Sequence, residues 1–209
     1  LIKSLINLLA SKKCITCPSI NQDANQLCFS CWNELSFISN SDPQRSISIA
    51  NYGKTAKKII VNLKYNDTHL YADIIGKFIE FYLKHHQINY DYIIPIPLSK
   101  KKLFLRRFNQ TILIAKYLCK TQPRKLLFNF LLKKFHTLSQ ASLDYQQRTK
   151  NLKNSFILNN KHKIKLDNKV ILLLDDVTTT NSTLDEAHLL LDKLPVKKII
   201  LVTFTKSFT

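Results

Sequence analysis

Glycine is almost missing from this chain of 209 residues, which has only Gly53 and Gly76. G-x-G-x-x-G needs three glycines, and Gly53 and Gly76 stand too far apart for G-x-x-x-x-G-K; neither pattern occurs, so both glycine-based nucleotide loops are excluded. Acidic residues are scarce too, 14 against 32 Lys and Arg. The resulting net charge of +18 favours polyanionic partners such as nucleic acid, pyrophosphate compounds or anionic membrane. A composition rich in Lys, Asn and Ile also follows from codon bias, and part of the charge is then plain solvated surface. Long apolar runs are absent: nothing approaches the roughly 20 residues of a helical membrane span. The stretch Leu1 to Ala10 is short and carries Lys3 and Asn7. The expectation is a soluble, cytoplasmic protein. What is present, 45% apolar residues, is enough for a real core and suits one main domain with a small appendage.

The appendage is legible in the cysteines. Cys14-Ile15-Thr16-Cys17 and Cys28-Phe29-Ser30-Cys31 form two C-x-x-C pairs. Each pair can grip a metal from a tight turn, and together they supply four thiolates for a tetrahedral structural zinc with no open position. Two disulfides are the alternative, but they need an oxidising compartment, and no credible export signal accompanies them. Trp32 and Phe37, next to the cysteines, read either as base-stacking groups or as the miniature core of the knuckle. Cys119 lies in an apolar helical stretch and reads as a buried hydrophobe. The six histidines, His85-His86 among them, show no ligand spacing.

Residues 39 to 45 are polar, contain a proline and read as a linker between a knuckle over 1–38 and a larger domain over 46–209. Ser46 to Tyr52 reads as a strand and Lys54 to Tyr65 as a helix. Leu70, Ile74, Phe78 and Tyr82 mark one face of a second helix. A strand is expected over Tyr90 to Ile96 and a helix over Asn109 to Cys119, while Leu126 to Leu132 is ambiguous. The wholly apolar Val170 to Leu174 suits a central parallel strand covered on both faces. A helical face follows at Leu184, Ala187, Leu191 and Leu194, then a strand over Lys198 to Phe204. Alternating strands and helices predict an α/β fold with a parallel sheet and right-handed crossovers.

The chemistry gathers after Leu174. In open α/β sheets ligands sit outside the carboxyl ends of strands, where Asp175 and Asp176 emerge. Thr178, Thr179, Thr180, Asn181, Ser182 and Thr183 follow as a loop of hydroxyls and free N–H groups before a helix, a ready cradle for phosphate. Acids that would repel a bare phosphate can accept hydrogen bonds from a vicinal diol, so the combination suggests a phosphorylated sugar. The plainer reading of the same residues is a capped helix after ordinary strand-end acids.

These residues resemble the phosphoribosyl pyrophosphate loop of type I phosphoribosyltransferases, and nearly the whole chain resembles the ComF competence-protein family. Besides the paired C-x-x-C, the resemblance rests on Asn62-Leu63-Lys64-Tyr65, Ile94-Pro95-Ile96-Pro97-Leu98, Arg106-Arg107-Phe108-Asn109-Gln110, and Gln140 followed by Arg148 and Asn151. It implies a parallel sheet of the type I phosphoribosyltransferase kind with a small amino-terminal four-cysteine zinc knuckle. It also implies that Asp175 and Asp176 hold the ribose hydroxyls and Thr179 to Thr183 the 5-phosphate. Lys100, Lys101, Lys102 and Arg106 would lie near the pyrophosphate, which Mg²⁺ would bridge to the ribose hydroxyls. For any one of these lysines, a solvated turn is the competing reading. Two positions depart from the family pattern, which has glycine where this chain has Asn181 and Arg107. Asn tolerates a left-handed backbone better than Arg does.

Two functions follow as expectations. One is a competence protein that binds a sugar phosphate and single-stranded DNA and works with DNA-uptake machinery. The other is a phosphoribosyltransferase acting on an unidentified base, in which catalysis is positioning and electrostatic support of departing pyrophosphate.

Overall fold

The computed structural model describes residues 13–20, 27–38, 46–66, 68–134, 155–159 and 164–207. The stretch 1–10, the linker at 39–45 and the motif positions Gln140, Arg148 and Asn151 lie outside the described residues.

Four strands form one parallel sheet: β1 (Ser46–Asn51), β2 (Tyr92–Pro95), β5 (Val170–Thr178) and β6 (Lys198–Lys206), in the order β1-β6-β5-β2. β3 (Leu131–Lys133) and β4 (Phe156–Leu158) make a separate antiparallel pair. The α-helices among the described residues are α1 (Phe29–Asn33), α2 (Lys54–Tyr65), α3 (Thr68–His85), α4 (Lys100–Arg106), α5 (Gln110–Leu118) and α6 (Ser182–Leu191).

Alternation along the strands builds two cores, because successive side chains leave opposite faces of a sheet. Leu172 and Leu174 of β5, with Ile200, Val202 and Phe204 of β6, pack on Ile59, Ile60 and Leu63 of α2, Ile75 and Ile79 of α3 and Ile114 of α5. Ile171 and Leu173, with Ile199 and Leu201, pack on Leu184, Ala187 and Leu191 of α6 and on Leu131 and Phe156 of the small hairpin. Both faces of β5 are therefore covered, and this is why its first residues are apolar without interruption.

The sequence-based elements recur within a residue or two of their expected ends, with four differences. Leu194 lies beyond α6. Leu126 bridges to Ile93, and only Leu131 and Leu132 of the ambiguous stretch become strand, as part of Leu131–Lys133. The basic stretch after Pro97 is the helix α4 rather than a turn; Ser99 caps it by accepting from the Lys102 N–H, and none of its residues is buried. Finally, β5 continues through Thr178, since β6 is long enough to pair Asp175 with Thr203 and Thr178 with Lys206. Of the stretch Asp175 to Thr183, the residues up to Thr178 are thus strand and Ser182 and Thr183 are already helix.

The cysteine segment sits on the larger body. Tyr71 Oη donates to the Ile15 carbonyl at 2.5 Å, Lys58 Nζ to the Thr16 carbonyl at 3.1 Å, and Thr55 Oγ1 to Glu34 Oε2 at 2.6 Å. Trp32 and Phe37 do not form a core for the knuckle. Their rings lie 5.6 and 5.7 Å from Phe78 on α3, and each stays partly exposed.

Candidate functional site

The carboxyl edge of the sheet carries the acid pair. Asp175 and Asp176 are consecutive strand residues, so their side chains start toward opposite faces. Asp176 is buried and turns to the α2 and α5 layer, where Lys64 Nζ lies 2.9 Å from Oδ2 and Gln110 Nε2 donates to the same oxygen at 3.4 Å. Asp175 is half-buried on the layer of the small hairpin, where its charge is felt by Lys133. Its Oδ1 accepts the Asp176 N–H at 2.8 Å. Burial and then the neighbouring Asp176 charge hold the Asp175 carboxyl well above the ordinary carboxylate range. One acid is thus neutralised by a lysine, and its neighbour tends to keep its proton.

Beyond them the chain turns tightly. Thr178 Oγ1 donates to Asn181 Oδ1 at 2.5 Å and accepts the Asn181 N–H at 3.1 Å. Asn181 has φ 57° and opens α6 as a left-handed N-cap whose side chain leaves the helix N–H groups alone. Thr179, Thr180 and Ser182 are exposed, and Thr183 is half-exposed. The turn therefore presents hydroxyls and unoccupied first-turn N–H groups at a helix amino end, a favourable setting for an anion.

After β2, Lys100 and Lys101 are exposed on α4. Arg106 lies with its guanidinium 5.6 Å from the Tyr65 ring centre. Arg107 ends α4 with φ 63°, so the second position where glycine is usual is left-handed as well. Lys133 has its ammonium form disfavoured by burial and then by the charge of Lys102. The segment between β2 and α5 is locked by Asn109 Nδ2 and Thr111 Oγ1, which donate to the Ile96 carbonyl at 3.0 and 2.9 Å. Lys64, Gln110 and Lys133 were not singled out from the sequence. The first two stand inside motifs already noted, and a lysine and a glutamine next to apolar core positions were the available signal.

The second place is the cysteine turn. The Sγ atoms of Cys14, Cys17, Cys28 and Cys31 lie within 4.8 Å of one another, and none forms a disulfide. Cys17 Sγ and Cys28 Sγ are 3.6 Å apart. Tetrahedral ligands at about 2.3 Å from a zinc ion sit roughly 3.8 Å apart, so the residues fit such an ion. Cys14 Sγ accepts the N–H groups of Thr16 and Cys28. Burial opposes ionisation of Cys14, but these donors and the Thr16 hydroxyl outweigh it and bring the thiol down to about 6. Burial pushes Cys31 up to about 12, and binding of a cation releases the protons of such thiols. A groove of about 730 Å³ lined by Trp32, Phe37, Phe78 and Phe81 includes none of the acid-pair residues.

No family model matches the chain. It is 37% identical to Competence protein F of Haemophilus influenzae over 107 residues, covering 51% of this chain and 46% of that protein. It is 27% identical to the DNA utilization protein YhgH of Escherichia coli K12 over 154 residues, covering 71% of this chain and 66% of that one. The chain thus spans between about half and two thirds of the curated relatives it matches. Similar solved structures are hypoxanthine phosphoribosyltransferases. That of Trypanosoma cruzi has 16% identity and a TM-score of 0.36 over 64% of this chain and 60% of that one. That of Staphylococcus aureus has 14% identity and a TM-score of 0.37 over 66% and 72%. The curated relatives and the four-cysteine cluster fit a ComF-family protein.

Proposed function

We propose that this chain is a competence protein that binds phosphoribosyl pyrophosphate, or a related sugar phosphate, at the end of β5 and engages single-stranded DNA. The observation that carries the sugar-phosphate reading is the junction of β5 and α6, where Asp175 and Asp176 precede a hydroxyl-rich turn at a helix amino end. A diol suits the acids and a phosphate suits the turn. Mg²⁺ would arrive with the ligand and balance its pyrophosphate. The names of the relatives, competence and DNA utilization, support the DNA side of the reading, as does the net charge of +18. In this reading residues 1–38 form a structural zinc knuckle, 39–45 a linker and 46–209 a phosphoribosyltransferase-like domain. The protein works in the cytoplasm with DNA-uptake machinery. No helix among the described residues is long and apolar enough to cross a membrane.

The completeness of the acid pair favours retained ligand binding, and the second reading, transfer of the phosphoribosyl group to a base, adds turnover at that same site. Isothermal titration with phosphoribosyl pyrophosphate and Mg²⁺ tests the site. The Asp175→Asn, Asp176→Asn double variant is expected to lose at least tenfold in affinity, the charged hydrogen bond at Asp176 alone being worth about 1.5 to 3 kcal/mol. Unchanged binding would show that the sugar site is wrongly assigned. DNA binding in the same variant is expected to persist and to fall with salt by a slope of about 0.7 per neutralised phosphate. Weak, salt-insensitive DNA binding together with pyrophosphate release from a base panel would promote the enzyme.

A further inference from the structure

Gln110 opens α5 and is 2% exposed. Its amide nitrogen donates to Asp176 Oδ2, yet its carbonyl oxygen Oε1 is buried without any hydrogen-bond partner. A buried acceptor left without a donor is costly, and native proteins keep few of them without a functional reason. Beside it, Asp176 is held by the Lys64 ammonium at 2.9 Å, with both side chains mostly covered. One place thus gathers a carboxylate, an amide acceptor lacking a donor, and a single lysine standing over the carboxylate.

We propose that Gln110 is a ligand-binding residue that, with Asp176, reads a hydroxyl of the sugar, and that Lys64 holds the place of that hydroxyl until ligand arrives. The inference rests on the sugar-phosphate reading above and specifies how that site selects a ribosyl over a deoxyribosyl compound. The ligand supplies what the site lacks. Its hydroxyl donates to Gln110 Oε1 or to Asp176 and accepts from Gln110 Nε2, while its phosphate offers the displaced Lys64 ammonium a new anion. Charge stays balanced, since Lys64 exchanges one anionic partner for another. No bond is made or broken. A site that hydrogen-bonds a hydroxyl from buried groups rejects the analogue lacking it far better than an apolar pocket can, because the groups are then left unpaired.

The test compares ribose 5-phosphate with 2-deoxyribose 5-phosphate by calorimetry on the full chain, in the parent and in Gln110→Met. The parent is expected to prefer ribose 5-phosphate by about tenfold, and the variant to lose most of that preference through weaker binding of the ribose compound alone. The variant's melting temperature is expected to match or exceed the parent's, because an unpaired buried acceptor has been removed. If Gln110→Met does not fold, Gln110→Leu removes the same amide with another apolar side chain and is expected to lose the preference likewise. Lys64→Met is expected to weaken both compounds alike, since each carries the phosphate that would receive the ammonium. A parent that binds both sugars equally, or a Gln110→Met variant with the preference intact, overturns the inference and leaves the sugar-phosphate site standing. A parent that binds neither sugar nor phosphoribosyl pyrophosphate removes both.

Discussion

At the scale of single residues, Arg107 and Asn181 show how the chain manages with so little glycine. Both have left-handed backbones, φ 63° and 57°. A side chain with a Cβ pays about 1 kcal/mol there, less for Asn. Arg107→Gly is therefore expected to stabilise the protein by about 1 kcal/mol in denaturant titration. Asn181→Gly is expected to change little, about 0.5 kcal/mol either way, because relief of the backbone is offset by loss of the Thr178 hydroxyl bond to Oδ1. The sequence marked both as departures from glycine but could not say which would carry strain, since φ is fixed by the neighbouring turn. Asp175 belongs to the same scale. Its carboxyl is raised well above the usual range in the folded chain by burial and by Asp176, so the folded state holds a proton that the unfolded state releases near pH 4. Stability from this group falls as pH rises from that value through the folded pKa. Asp175→Asn is accordingly expected to raise the melting temperature at pH 7 and to change it little near pH 3.5. A variant that melts lower at pH 7 would mean that Asp175 is held as a needed carboxylate.

At the scale of elements, the contact of α3 with α5 is set by a gap. Gly76 faces Tyr117, and a Cβ there would lie 2.3 Å from the ring's Cδ1 and 2.7 Å from Cγ. Gly76→Ala gains helix propensity but forces the two helices apart, and a net loss of about 1 to 2 kcal/mol in denaturant unfolding is expected. An unchanged midpoint would show that Tyr117 can swing away freely. Helices with one apolar stripe, such as Lys54–Tyr65, were legible because periodicity records which face is buried. α4 was not: Leu103, Phe104 and Leu105 are consecutive and exposed, so no period marks the helix and a cap at Ser99 is its main signal. The end of β5 escaped for a related reason. Asp175 to Thr178 reads as a loop by composition, and only pairing with β6 makes it strand.

At the scale of the whole molecule, the cysteine turn and the sheet are coupled rather than strung apart. Ile15 and Leu27 pack against the first core, and Tyr71, Lys58 and Thr55 reach across to the turn and its helix. Reduced, zinc-supplemented protein is expected to carry one zinc per chain by metal analysis, since the four cysteines leave no open position. Cys28→Ser is expected to lose the metal, keep the far-ultraviolet spectrum of the larger body, and melt several degrees lower because the contacts at Ile15 and Thr16 loosen. An unshifted melting temperature would show that the turn adds nothing to the body. The sequence by itself determined the parallel α/β class, the four-cysteine cluster and the two adjacent acids that follow the apolar run of β5, because periodicity and spacing are local properties. Only the tertiary structure decided that Asp176 is spoken for by Lys64 and Gln110 while Asp175 stands on the other face. That choice depends on which helix covers which side of the sheet, and side chains from α2 and α5 meet β5 only after the crossovers have closed.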